Sequence, residues 1–313
     1  KVSTMIDFRY HLVSLISVFL ALAVGVVLGA GPLQNSLGTA LNDQVTALRE
    51  NRNATQAKLE QTETAVNERD SYITQAASSL LPGTLASKNV AMVLLPNAKA
   101  EDADAVTAQL KSAGATVTGR VSLTTTWVDV SRENYRSTFS GQVQGHLGSA
   151  NVKDANGILG EALAKALTAN DDSSRVLMDM LSVDKSGTPF VSVDSTPTGP
   201  AEMIVVVGPR PQASSGKGAT VEASPSQDPK AWAKALEGTA GGAPTVVVGS
   251  ADGDDNVVSI IRSEKAKVTT VDSVGQVAAS VSAPLALAST RAGTIGHYGF
   301  DKGAGAVMPP VTK

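Results

Sequence analysis

The feature that most constrains this chain is an uninterrupted apolar segment near its N-terminus. Residues 12–32 read LVSLISVFLALAVGVVLGAGP, and no charged residue follows them until Asp43. About 20 apolar residues in a row are enough for a helix to cross the hydrocarbon layer of a bilayer. We therefore predict a transmembrane helix over 12–32, with a buried helix of a soluble domain as the alternative. A cleaved signal peptide fits less well, because Leu28 is too bulky for the −3 position of a cut after Ala30.

The charges beside this segment predict its orientation. Lys1 and Arg9 precede it, whereas the next basic residue after it is Arg49. Basic residues stay on the cytoplasmic side of a membrane. We therefore expect a plasma-membrane protein with residues 1–11 in the cytoplasm and all that follows the helix in an extracytoplasmic, periplasm-like space. Lys1 and Met5 are alternative start residues.

The next segment, 33–81, has the pattern of a helical stalk. Residues 41–80 contain neither Gly nor Pro, and their composition favours a helix. A heptad repeat with position d at Leu41 gives a seam of mainly apolar residues. Its candidate interface residues are Leu41, Val45, Leu48, Leu59, Val66 and Ile73. The seam predicts a parallel coiled-coil homodimer, weakened by polar residues at Arg52, Thr55 and Thr62. The alternative is a single helix that packs on its own globular domain.

Residues 88–313 predict an α/β domain. Short apolar runs rich in β-branched residues, typical of strands buried on both faces, alternate with helical patterns. The predicted strands are 89–96, 115–123, 203–208, 244–250 and 267–273, and the predicted helices are 101–114, 155–169, 173–183, 228–240, 255–266 and 276–289. This alternation indicates a mostly parallel sheet with helices on both faces, a Rossmann-like layout. Residues 209–229 predict a long polar loop.

Several kinds of chemistry find no support in the residues. A formal net charge of −3 leaves no basic surplus for nucleic acid, and a chain without cysteine has neither disulfides nor thiolate metal sites. No strand is followed by a nucleotide-binding glycine motif. The turn after strand 244–250 contains Asp252 and Asp254, and two interpretations are open. They are cation or hydroxyl ligands, or they belong to a solvated turn in which Asp255 or Asn256 caps the next helix.

Histidine and methionine are the remaining candidates for a site. His297 and Tyr298, in the glycine-spaced TIGHYGF segment, are a candidate binding pair, and His146 is interpreted as an ordinary loop residue. No nucleophile-elbow sequence precedes a histidine, so we predict that the chain is not an enzyme. Copper(I) favours thioether ligands, but Met178 and Met180 lie two apart on a predicted helix and are expected in the core, as are Met92 and Met203. We expect no cofactor and no dedicated metal ligands; copper has weak support.

The residues that carry a family resemblance extend over nearly the whole chain. They are the opening MIDFRYHLVSLISVFLALAVGVVLGAGPL (5–33), the heptad segment, the VAMVLLP strand (90–96) and the closing RAGTIGHYG (291–299). Together they resemble the actinobacterial copper transporter MctB family, also called SteB. The resemblance implies an envelope protein of the mycobacterial or corynebacterial type. It implies two functions: copper transport or efflux with a proposed outer-membrane channel, and septal cell-wall remodelling with a membrane partner, SteA, that acts on peptidoglycan hydrolysis.

Two hypotheses follow. The first is a non-enzymatic, membrane-tethered dimer that presents its α/β head to a SteA-like partner in cell division. The alternative is a copper transport or efflux protein of the envelope, which the family name alone supports.

Overall fold

The structure, a computed structural model, describes residues 8–30, 32–148, 152–183, 189–211 and 227–312. The chain divides into two compact units, residues 1–68 and 69–313. The long polar loop expected at 209–229 lies mostly outside the described residues, as do Lys1 and Met5.

The first unit is helical. Helix α1 (Phe8–Ala30) covers most of the predicted transmembrane segment 12–32; it begins four residues before that segment and ends two residues before its end. Its stretch Phe8–Gly29 is the single helix among the described residues that is long and apolar enough to cross a membrane, and none of it is buried within the chain. That exposure disagrees with a helix buried in a soluble domain. Helix α2 (Pro32–Leu80) is the predicted stalk helix.

The second unit contains the last turns of α2 and the α/β head. Its strands are β1 (Asn89–Leu94), β2 (Thr116–Leu123), β3 (Val191–Ser195), β4 (Met203–Val207), β5 (Thr245–Val248), β6 (Thr269–Val271) and β7 (His297–Tyr298). Its helices are α3 (Ala100–Ser112), α4 (Glu133–Leu147), α5 (Ala155–Thr168), α6 (Asp172–Ser182), α7 (Lys230–Gly242), α8 (Val257–Ser263) and α9 (Val277–Arg291). Two short 3₁₀ turns, Thr125–Trp127 and Val130–Arg132, precede α4.

The strands form one sheet in the order β3-β2-β1-β4-β5-β6-β7. All neighbours are parallel except β2 and β3. The mostly parallel α/β fold predicted from the sequence is therefore confirmed. The sheet also contains β3 and β7, which the sequence patterns did not indicate.

Each face of the sheet has its own core, because successive strand residues point to opposite faces. Val90 and Met92 pack with α3 and α9 on one face, whereas Ala91 and Val93 pack with helices α4 to α8 on the other. Both tryptophans, Trp127 and Trp232, belong to this second core and stack with ring centroids 6.1 Å apart.

Helices α5 and α7 approach each other unusually closely. A Cβ atom built on Gly160 would lie 1.9 Å from the Ala235 carbonyl oxygen, and one built on Gly238 would lie 2.0 Å from that of Gly157. Glycine is therefore required at both positions, because any side chain would force the two backbones apart.

Candidate functional site: the carboxyl edge of the sheet and the seam of the long helix

Both candidate groups in the head lie at one part of the sheet. The Asp252 turn follows β5, and His297 and Tyr298 form β7. Strand β6 lies between them and pairs in parallel with both. Open parallel sheets bind ligands beyond the carboxyl ends of their strands, so a ligand of the head is expected at this edge.

The aspartates after β5 form an exposed turn. Asp252, Asp254 and Asp255 are all exposed. Asn256 precedes α8 but makes no side-chain cap hydrogen bond to it; its Nδ2 donates instead to Ser250 Oγ at 3.2 Å. Asn256, one of the two residues expected to cap the helix, is thus its N-cap residue by position, but its side chain does not bond to the helix. Across the described parts of the chain, no three His, Cys, Asp or Glu side chains are arranged to hold a metal ion.

His297 is held by a chain of hydrogen bonds. Arg262 Nε donates to Thr270 Oγ1 at 3.2 Å, and Thr270 Oγ1 lies 2.9 Å from His297 Nδ1. The Thr270 hydroxyl donates to Nδ1 when His297 is the tautomer that has its own proton on Nε2. Burial, together with the nearby Arg262 charge, lowers the pKa of His297 from its ordinary value. His297 is therefore a neutral, structurally bound imidazole.

Sequence reasoning missed the centre of this region, a buried Arg262–Asp272 ion pair. Arg262 Nη2 lies 3.0 Å from Asp272 Oδ2, and the two side chains are 6% and 0% exposed. Arg262 also donates to the carbonyl oxygens of Tyr298 and Lys302. Because a buried charge is stable only when it is paired and hydrogen-bonded, the pair fixes the backbone that follows β7.

Asp272 completes this arrangement from the other side. Its carboxylate accepts hydrogen bonds from the backbone N–H groups of Phe300 and Asp301 and from the hydroxyl of Ser273. Gly299, with a φ of +128°, passes so close that a Cβ there would lie 1.8 Å from Asp272 Oδ1. No local pattern marks these contacts, since Arg262 and Asp272 stand in different elements of the chain.

Asp301 is the carboxylate of this group that has an unsatisfied oxygen atom. Its Oδ2 is buried without a hydrogen-bond partner among the described residues. Burial raises the pKa of Asp301, and the negative charges of Asp272 and Asp252 add to this effect.

The heptad residues of α2 divide into two groups. Leu41, Val45, Leu48, Leu59 and Val66 are exposed, by 38% to 67%. Ile73 is instead partly buried and packs, together with Ala77 and Leu81, in the core formed by α3 and α9. The predicted dimer interface therefore has unpartnered apolar residues up to Val66, whereas Ile73 already contacts the head of its own chain.

The methionines lie where the sequence predicted them, whereas His146 does not. Met92 and Met203 are fully buried, and Met178 and Met180 pack against the core at its edge, as predicted for core residues. His146 lies in the last turn of α4 rather than in a loop. Sequence analysis missed α4 because its polar sequence, ENYRSTFSGQVQGHL, lacks a regular apolar stripe.

Comparison with known proteins gives a match over nearly the whole chain. A family model described as "Copper transport outer membrane protein, MctB" matches residues 5–309. Proteins named "Copper transporter MctB" from Mycobacterium tuberculosis and Mycobacterium bovis are each 29% identical to this chain over 325 residues, or 96% of this chain and 98% of theirs. The protein of that name from Mycobacterium leprae is 30% identical over 328 residues, or 98% and 100%.

Proposed function

We propose, from the premise that this chain belongs to the MctB family, that it is an envelope protein that takes part in copper transport. The observation that carries the proposal is the family match over residues 5–309, together with relatives named copper transporters that align over nearly their full length. The apolar helix Phe8–Gly29 and the family together identify a membrane-anchored envelope protein. The names of the relatives support copper transport better than they support cell division.

The finer proposal concerns how the chain is placed. We propose that α1 crosses the plasma membrane with residues 1–11 in the cytoplasm and the head in the extracytoplasmic space, because Lys1 and Arg9 precede its apolar segment and the next basic residue is Arg49. We also propose that the protein acts without catalysis, through binding and presentation of its head.

The copper proposal is tested on cells that lack the protein. We expect their copper content, measured by mass spectrometry after growth in added copper, to differ from that of the parent, and their zinc content to be unchanged. The full chain should restore the parental copper content, and a variant without residues 8–30 should not. Equal copper content with and without the protein would overturn the proposal.

A second function is favoured by the exposed apolar residues of α2. Leu41, Leu48 and Leu59 are 50% to 67% exposed and share one heptad seam, an arrangement typical of a helix that pairs with another helix. We propose that this seam pairs two copies in parallel, with Lys58 of one copy facing Glu63 of the other. Such a dimer would present two heads to a SteA-like membrane protein in septal cell-wall remodelling, where peptidoglycan hydrolysis is regulated.

Crosslinking tests the pairing of two copies, and copurification tests the septal role. Because the chain contains no cysteine, a single Leu59→Cys variant should form a covalent dimer in membranes, and Gln61→Cys, two positions along the same helix, should form much less. Copurification from native membranes should then recover a membrane protein of the cell-division machinery. If no such protein accompanies a dimer that forms normally, the septal role fails and the pairing stands.

A further inference from the structure

A cleft lies at the carboxyl edge of the sheet, apart from the Asp272 group. It has a volume of about 130 Å³ and is lined by residues that follow four different strands. Asp102 belongs to α3 after β1, Arg210 follows β4, Val248 ends β5, and Gln276 follows β6. The cleft therefore opens where four strands end together.

This position is the one at which the topology of the fold leaves a crevice. Strands β1 and β4 are neighbours in the sheet, but α3 leaves β1 to pack in one core and α7 leaves β4 to pack in the opposite core. Open α/β sheets bind their ligands where the chain diverges in this way.

Arg210 is held rigidly at the rim of the cleft. Its Nε lies 2.9 Å from Asp102 Oδ2 and its Nη2 lies 2.6 Å from Asp102 Oδ1, a two-point contact with a carboxylate that is 4% exposed. Gly275 packs beneath the guanidinium; a Cβ at this residue would lie 2.6 Å from Arg210 Nε. Nη2 has two N–H groups, and its contact with Asp102 Oδ1 uses one of them.

A loosely held carboxylate already occupies the outer side of Arg210. Glu101 Oε2 lies 3.5 Å from Arg210 Nη2, and the Glu101 side chain is 79% exposed. This distance is too long for a strong hydrogen bond, and exposed ion pairs contribute little stability. Another carboxylate can therefore replace Glu101 at low cost.

The rest of the lining is suited to an aliphatic group. Val106, Val248, Val274 and Val277 provide apolar walls, and Gln276, an exposed residue, offers an amide at the rim. A volume of about 130 Å³ is close to the roughly 150 Å³ of a cavity that binds benzene, so the ligand must be small.

We propose that this cleft binds a small branched or straight aliphatic carboxylate, with its carboxylate on Arg210 Nη2 in place of Glu101 and its apolar end among the valines. This site is independent of the proposed copper transport, since it contains no thioether or imidazole ligand. Branched-chain and short-chain organic acids are the chemical class that matches its size and charge.

The test is a titration of the full chain in detergent with sodium isovalerate. Binding is monitored by ligand-observed NMR in the presence of a copper chelator. Saturable binding is expected, and isoamyl alcohol, which has the same carbon skeleton without charge, should bind at least about tenfold more weakly, since a hydrogen bond to a charged group is lost. Glu101→Gln should strengthen isovalerate binding because it removes the competing carboxylate.

Two pairs of variants locate the binding. Arg210→Gln should weaken it about tenfold or more, whereas Arg120→Gln, which breaks an exposed ion pair with Asp104 elsewhere on the head, should not. Ala105→Leu fills the cleft and leaves the Arg210–Asp102 contact in place, so it should abolish binding even if Arg210→Gln fails to fold. Ala108→Leu, an exposed position of α3 outside the lining, is its matched control. Absence of saturable binding to the wild-type chain, equal binding of the alcohol, or full binding by Ala105→Leu would each overturn the proposal.

Discussion

At the scale of single residues, Asp272 organises the last part of the head. It pairs with Arg262 and accepts two backbone N–H groups from the segment after β7. Gly299 passes directly over its carboxylate with a φ of +128°, a conformation in which L side chains are strained. The contact thus depends on the absence of one methyl group.

Gly299→Ala should destabilise the head by about 2–3 kcal/mol, because it combines backbone strain with a clash against Asp272. The measurement is urea unfolding of the full chain in detergent, followed by tryptophan fluorescence, since Trp127 and Trp232 both lie in the head core. Gly141→Ala is the matched control. It lies in α4 with no atom within 4 Å of an added Cβ, so its effect should be neutral or stabilising by up to about 1 kcal/mol.

His297 should make the stability of the head depend on pH. Its pKa is lowered in the folded chain, so the unfolded chain binds a proton near the ordinary pKa of about 6.5 before the folded chain does. The free energy of unfolding should therefore fall as the pH decreases through about 6.5, and level off below the folded pKa.

This part of the pH dependence should disappear in His297→Gln and persist in His146→Gln. The raised pKa of Asp301 acts in the opposite direction and at lower pH: the folded chain binds that proton first, so stability is lost as the pH rises from the ordinary carboxyl pKa through the folded one. If the free energy of unfolding of His297→Gln depends on pH between 5.5 and 7.5 as that of the wild-type chain does, His297 is not the cause of the dependence.

At the scale of elements, the predictability of each segment followed from how it is buried. Strands β1, β4 and β5 were predictable because both of their faces are covered, which produces continuous apolar runs. The edge strand β3 has the sequence VSVDS with four of its five residues exposed, and β7 has two residues, so neither leaves a recognisable pattern.

The candidate site was less predictable than the fold. His297, Tyr298 and Asp252 were found by residue type, and the structure places them at β7 and after β5, two strands separated by β6. The Arg262–Asp272 and Arg210–Asp102 pairs join residues 10 and 108 positions apart, and their partners are determined by tertiary packing. No local spacing in the sequence indicates either pair.

Helix α2 supports a prediction about pairing. Leu59→Ala and Val66→Ala should each weaken dimerisation by up to a few kcal/mol, since each removes apolar packing at position a of the heptad. Analytical ultracentrifugation of the full chain in detergent measures the change. Gln61→Ala, at an outer heptad position, should leave the dimer unchanged.

Ile73 should behave differently from these residues. It packs in the core of its own head, so Ile73→Ala should lower the free energy of unfolding and have little effect on dimerisation. A loss of dimer without a loss of stability in Ile73→Ala would show that the seam continues beyond Val66.

At the scale of the whole molecule, the chain combines a helix able to span a membrane with a folded α/β head. Because it contains no cysteine, single introduced thiols report the side of the membrane without background. A membrane-impermeant maleimide should label Gln61→Cys in intact spheroplasts and should label Ser3→Cys only after lysis. The reverse pattern would place the head in the cytoplasm.

The contacts of Asp272 have a consequence for where the folded domain ends. A chain cut just after β7 would leave Arg262 without the Lys302 carbonyl and Asp272 without two of its donors. Residues 300–302 are therefore an integral part of the domain, and proteases that trim the chain back to β7 should release a head that unfolds more readily. Shortened forms of the head should therefore keep Phe300, Asp301 and Lys302.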